Sequence, residues 1–208
     1  MTTKEVLEIL SNVEAVRTGG HYVYNSGKHG DAYINKDAVF PHTEVTSAFC
    51  AELAQRFVGD DVEVVIAPAE AGIVMSQWVA FHLSQLSGRE VLAVYASKEG
   101  DGFKIGKGYD KIVKGRRILV AEDILTTGGS AAQVVELTRA AGGEVIGVCV
   151  LVNRGGVTTN DLGDVPRLEV LANVTLDAYE EADCPLCTAS IPINTDLGHG
   201  TQYLQGNK

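Results

Sequence analysis

Chemistry in this chain concentrates in Ile118-Leu119-Val120-Ala121-Glu122-Asp123-Ile124-Leu125-Thr126-Thr127-Gly128-Gly129-Ser130. An apolar run delivers two adjacent carboxylates to its C-terminal end, and five small or hydroxylic residues then lead into a helical pattern. Thr, Gly and Ser ahead of a helix offer backbone N–H groups, hydroxyl donors and the positive end of the helix dipole, which together suit a phosphate monoester. Glycine also lets the backbone come close to the phosphate oxygens. The two acids would repel that phosphate, so Glu122 and Asp123 need a polar, neutral target beside it. Vicinal ribose hydroxyls with a metal nearby meet that need, and a ribose 5-phosphate satisfies both halves of the motif. The loop lacks the Gly-Lys-[Ser/Thr] of a P-loop and the G-x-G-x-x-G of a dinucleotide site.

The elements that must position this loop follow from the apolar pattern. VEVVIA (62–67), VLAVYAS (91–97), RILVAEDI (117–124) and EVIGVCVLVN (144–153) are continuous apolar runs, as expected of strands buried on both faces of a parallel sheet. Helical patterns alternate with them at 71–86 and 129–143. This succession predicts an α/β fold with a parallel sheet and right-handed crossovers, with ligands outside the carboxyl ends of the strands. Upstream, residues 2–16 read as an amphipathic helix with capping-box spacing at Thr2 and Glu5. Thr18 to Pro41 reads as short strands around a turn at Asn25–Gly30, and a helix over 43–57 follows with Phe49, Leu53 and Phe57 on one face. After residue 175 the pattern dissolves into an acidic tail. We expect one domain over 1–208, with an N-terminal subregion mainly in 1–60, an α/β core at about 61–175 and a tail at 176–208.

Composition narrows the classes. The chain has 208 residues, 45% of them hydrophobic, and a formal net charge of −10, which fits a folded globular protein and opposes attraction to nucleic acid or anionic membrane. The charge is uneven. Lys98 to Arg117 holds seven basic and three acidic residues, +4, which leaves −14 for the remainder. No signal peptide, transit peptide or bilayer-spanning run is visible, so a reduced cytoplasmic compartment is expected. Cys184-Pro185-Leu186-Cys187 has the spacing of half a zinc site or a redox pair. No second C-x-x-C exists, Cys50 and Cys149 lie in apolar patterns, and His199 would need ligands from elsewhere. Two structural thiols are therefore the expectation, with metal binding as the competing reading.

The 13-residue segment resembles the phosphoribosyl pyrophosphate (PRPP) signature of type I phosphoribosyltransferases, and the resemblance over most of the chain is to the orotate phosphoribosyltransferase family. His21 to Lys36 is similar to that family's N-terminal hood. Val65-Ile66-Ala67-Pro68-Ala69-Glu70-Ala71-Gly72-Ile73 is similar to its pyrophosphate loop, and Tyr95 to Gly108 to its mobile catalytic loop. Val152-Asn153-Arg154 ends the strand where the family places an arginine against the orotate carboxylate. The resemblance implies that Glu122, Asp123, Thr126, Thr127, Gly128, Gly129 and Ser130, with Ala69, Glu70, Ala71 and Gly72, bind PRPP. It implies that Lys98, Lys104, Lys107 and Asp123 carry the catalysis, and that Arg154, His29, Tyr33, Ile34 and Thr126 meet the base, with Phe103 a further hood candidate. Mg²⁺ would be held mainly by PRPP, supported by Glu122 and Asp123, and loop 97–113 would reach the neighbouring subunit of a homodimer. The family's Arg-Lys pair is replaced here by Ser97-Lys98, Asp101 and Phe103 align with its second Lys and its His, and Ala71 stands where its pyrophosphate loop often has Lys. Two other readings stay open: transfer to another base, and a non-catalytic PRPP-responsive regulator.

Overall fold

Thr2 and Glu5 form the predicted capping box: Thr2 N–H donates to Glu5 Oε2 at 2.7 Å and Glu5 N–H to Thr2 Oγ1 at 3.3 Å in the computed structural model, which describes residues 1–206. Helix α1 (Thr3–Asn12) then ends short of the predicted residue 16, because Glu14 turns left-handed at φ 57°. Ala15 N–H closes that turn onto Leu10 O at 2.8 Å, a Schellman stop. Thr2→Ala is expected to cost about 1 kcal/mol, read as a lower urea midpoint at unchanged slope.

The chain continues through β1 (Val16–Val23), β2 (His29–Ile34), α2 (Thr43–Phe57), β3 (Val64–Pro68), α3 (Ala71–Ser87), β4 (Leu92–Glu99) and β5 (Gly102–Lys104). It goes on with α4 (Tyr109–Val113), β6 (Arg117–Leu125), α5 (Gly129–Ala140), β7 (Glu144–Asn153), β8 (Leu168–Asn173), α6 (Pro185–Thr188) and α7 (Gly200–Leu204). It divides into two compact units. The first comprises Met1–Val6 and His42–Val174. Its six-stranded sheet has the order β5-β4-β3-β6-β7-β8, parallel except for the short β4–β5 hairpin. All five residues of β3 are buried, as the continuous apolar run predicted. The α2 face of Phe49, Leu53 and Phe57 is fully buried, and Ala131, Val134 and Val135 of α5 join the core with Val64, Ile66, Val120 and Val148. Strand order reverses between β3 and β6, which pair in register from Val64↔Ile118 to Ile66↔Val120. That switch point is where an open α/β sheet offers a crevice for a ligand.

The second unit takes in Leu7–Pro41 and the chain from Thr175 onward. Its sheet is the two-stranded hairpin of β1 and β2. The C-terminal stretch is bound to it by backbone pairs: His29 with Tyr179 in both directions at 2.8 Å, Asn194 N–H to His21 O at 2.7 Å, and His199 N–H to Val23 O at 2.8 Å.

The structure departs from the sequence pattern at two boundaries and adds one strand. Helix α2 belongs with the α/β unit rather than the N-terminal subregion, since its apolar face is part of that core. The tail is the other half of the hairpin's unit. Strand β8, which sequence did not reveal, pairs with β7 from Val148↔Leu168 to Asn153↔Asn173, and its half-buried edge pattern hides it from a search for apolar runs.

Candidate functional site

Strand β6 carries Glu122 and Asp123 into the interior at 6% and 2% exposure. Glu122 Oε1 accepts the Asp123 N–H at 3.1 Å, and Asp123 Oδ1 accepts the Ile124 N–H at 2.7 Å. Beyond Leu125, Thr126, Thr127, Gly129 and Ser130 are exposed while Gly128 is buried. Gly128 caps α5 at φ 80°, and a Cβ there would lie 2.9 Å from Val157 Cγ1. Glycine is required by both the left-handed backbone and the packing. A three-turn helix thus starts from an exposed run of Thr, Gly and Ser, an arrangement able to hold a phosphate dianion.

The end of β7 is tied to this loop. Arg154 N–H and Gly155 N–H both donate to Leu125 O, at 3.0 and 3.2 Å, and Arg154 Nε donates to Thr126 Oγ1 at 3.2 Å. Asn153 closes the following turn through Val157, donating to its carbonyl at 2.8 Å and accepting its N–H at 3.1 Å. A Cβ on Gly155 would fall 1.5 Å from Thr126 O. Sequence reasoning placed Arg154 here but missed Asn153 and Gly155; the signal was the Gly-Gly pair directly after Arg154.

The loop after β3 lies beside β6 in the sheet. The Ala69–Glu70 peptide is cis, Ala69 N–H donates to Ala96 O at 2.8 Å, and Glu70 is exposed. A Cβ on Gly72 would meet Ala67 Cβ at 2.9 Å, so glycine lets α3 start close against its strand, and Ala71 opens that helix. The sequence-selected lysines lie on the β4–β5 hairpin and beyond it. Lys98 is exposed and pairs in register with Phe103. Lys104 Nζ bonds Glu99, and Lys107 Nζ bonds the Tyr95 hydroxyl and sits 4.8 Å from that ring's centre. The Tyr95 hydrogen bond raises the Lys107 pKa, which keeps it a cation. Phe103 is half-buried and packs against the α/β core.

The base-contact candidates of the hairpin fare differently. Tyr33 is half-buried with its ring 5.6 Å from that of Tyr22, and Ile34 is buried at 6% exposure. His29 is corrected. Its ring is fully buried and engaged by His21 and Cys187, and burial pushes its pKa down, away from the cation an anionic base would want.

The acid pair at the end of β6 and the Thr-Gly-Ser run that opens α5 both lie at the point where the strand order reverses. The phosphoribosyl transferase domain matches residues 42–175, and the chain belongs to this family. Among its relatives, it is 39% identical to orotate phosphoribosyltransferase of Caldanaerobacter subterraneus over 93% of this chain and 96% of that protein. It is 33% identical to the orotate phosphoribosyltransferase of Caulobacter vibrioides over 99% of this chain and all of that one. The crystal structure of orotate phosphoribosyltransferase from Aeropyrum pernix superposes with a TM-score of 0.65 at 25% identity, covering 81% of this chain and 93% of that one.

Proposed function

We propose that this protein transfers the 5-phosphoribosyl group of PRPP to orotate, giving orotidine 5′-phosphate and pyrophosphate. The observation that carries the reading is the junction of β6 and β7, where a Thr-Gly-Ser phosphate loop is hydrogen-bonded to an arginine able to pair with a carboxylate. Full-length similarity to orotate phosphoribosyltransferases supports orotate as the base.

The 5-phosphate sits on the N–H groups and hydroxyls of Thr126 to Ser130. Glu122 and Asp123 accept the ribose 2′- and 3′-hydroxyl protons and fix C1′ for displacement. Ala69 to Gly72 and Lys98, Lys104 and Lys107 receive the pyrophosphate, and Arg154 orients the base by its carboxylate. No covalent nucleophile is needed, since a transition state with oxocarbenium character asks for positioning and charge. Two nearly buried carboxylates at a strand end are hard oxygen donors, which suit Mg²⁺ held largely by PRPP. Bound there, the ion supplies charge neutralisation for the leaving pyrophosphate.

On this reading the enzyme works in the cytoplasm. Among the described residues no helix is long and apolar enough to cross a membrane. It works as a homodimer with loop 97–113 entering the neighbour's site. Support for a second copy comes from α3, where Phe81 is 51% exposed and stands against Trp78 and His82. Light scattering is expected to give twice the chain mass.

The decisive assay follows pyrophosphate release from PRPP and Mg²⁺ with a panel of bases. Turnover is expected with orotate. Turnover with a purine alone moves the assignment to another base, and none with any base moves it to a PRPP-responsive regulator. Arg154→Gln is expected to raise the KM for orotate about tenfold or more, with the KM for PRPP changed less.

A further inference from the structure

His21 and His29 stand diagonally across the β1–β2 hairpin, since Val23 pairs with His29 and His21 lies two residues back on the same strand. Cys184 and Cys187 flank the start of α6, three residues apart on one face of the turn. All four belong to the second unit and converge although Cys187 is 158 residues from His29 in sequence. His21 Nε2 is 2.8 Å from His29 Nδ1, 3.7 Å from Cys187 Sγ and 3.9 Å from Cys184 Sγ, and Cys187 Sγ is 3.3 Å from His29 Nδ1. The four donor atoms lie within 4.8 Å of one another. A tetrahedral zinc ion with ordinary Zn–N and Zn–S bonds sets its ligand atoms roughly 3.3–3.8 Å apart, so the cluster needs only small adjustments to close on one.

Hydrogen bonding around the cluster points the same way. Ile191 O lies 2.7 Å from His21 Nδ1 and can only accept, so Nδ1 carries the proton and Nε2 turns its lone pair into the cluster. A backbone carbonyl in this position is the usual outer-sphere partner of an imidazole that ligates a metal through its other nitrogen. Without a metal, the His29 Nδ1–H would have to serve His21 Nε2, which leaves His29 Nε2 a buried acceptor with no donor. Among the described residues that atom indeed has no hydrogen-bond partner. With Nδ1 on a metal, Nε2 instead carries a hydrogen in a ring set edge-to-face with Tyr203 at 5.0 Å. His21, His29 and Cys184 are at most 2% exposed and Cys187 is half-buried, so two imidazole nitrogens and two thiols, a donor set suited to zinc, converge largely away from solvent.

We propose that His21, His29, Cys184 and Cys187 form a structural Cys2His2 zinc site that staples the C-terminal segment to the N-terminal hairpin. The unit needs such a staple: its sheet has two strands, an isolated hairpin is marginal in water, and small units rarely bury enough apolar surface. The inference is independent of the transferase reading, because it rests on residues to which no step of that reaction is given.

The test uses the full chain, expressed without a polyhistidine tag, reduced, reconstituted with zinc and freed of excess metal. Elemental analysis is expected to find one zinc per chain. Cobalt in its place should give thiolate-to-metal charge transfer and the intense visible bands of a tetrahedral ion. Cys184→Ser and Cys187→Ser should each lose the metal, while Cys50→Ser keeps it. Chelation should lower the melting temperature of wild type by about 5 °C or more. Well under one equivalent after reconstitution, a cobalt spectrum without thiolate bands, or full zinc in both cysteine variants overturns the proposal. If the variants are insoluble, wild-type stoichiometry and the cobalt spectrum decide it alone.

Discussion

Asp123→Asn lowers kcat/KM for PRPP by about 100-fold or more, ~2.7 kcal/mol of transition-state stabilisation, while the melting temperature stays close to wild type. The asymmetry has a structural cause. Asparagine keeps the Oδ1 that accepts the Ile124 N–H at 2.7 Å, so the strand end remains satisfied. What is lost is the second carboxylate oxygen and the negative charge, the features that would bind a ribose hydroxyl and support a cation. Steady-state kinetics on Asp123→Asn and Glu122→Gln check this, with PRPP-dependent thermal protection as a second readout. A variant with wild-type kcat/KM would remove the acid pair from the mechanism.

The parts of this fold legible in the sequence are those written in local pattern. EVIGVCVLVN becomes β7 with every residue after Glu144 buried, since a strand covered on both faces has no polar positions to disguise it. The phosphate loop was legible because its chemistry is contiguous: acids, hydroxyls, glycines and helix start fall within nine residues of one another, from 122 to 130. Non-local pairing was not legible. No spacing in the sequence links Cys184 and Cys187 to His21 and His29, their neighbours in space, which come from a hairpin at the other end of the chain. Nor does charge predict partners. The positive stretch from Lys98 to Arg117 suggested a reservoir of cations for pyrophosphate, yet Lys104 is held by Glu99, and Arg117 by Glu144 at 2.8 Å. Lys98, at the end of β4, is exposed, as are Lys111 and Lys114.

Gly155→Ala is the sharper test of the site, because it alters no group that could touch a substrate. Its Cβ would lie 1.5 Å from Thr126 O and 2.5 Å from Thr126 C, both backbone atoms, so no rotamer change can relieve the clash. Either the turn after β7 or the first residue of the phosphate loop must move. The same turn donates the Arg154 and Gly155 N–H groups to Leu125 O, so both substrate subsites shift together. A displacement of this order in a positioning loop costs about 100-fold, and it should fall mainly on the KM for PRPP with a smaller rise in the KM for orotate. Gly59→Ala is the matched control, since a Cβ there meets no atom of the described residues within 4 Å and should leave the kinetics unchanged. Loss of thermal protection by PRPP in Gly155→Ala, with the unliganded melting temperature lowered by only a few degrees, would locate the damage in the loop. Unchanged PRPP affinity would mean that the phosphate does not rest on Thr126 and its neighbours, and the 5-phosphate would have to be assigned to another strand end.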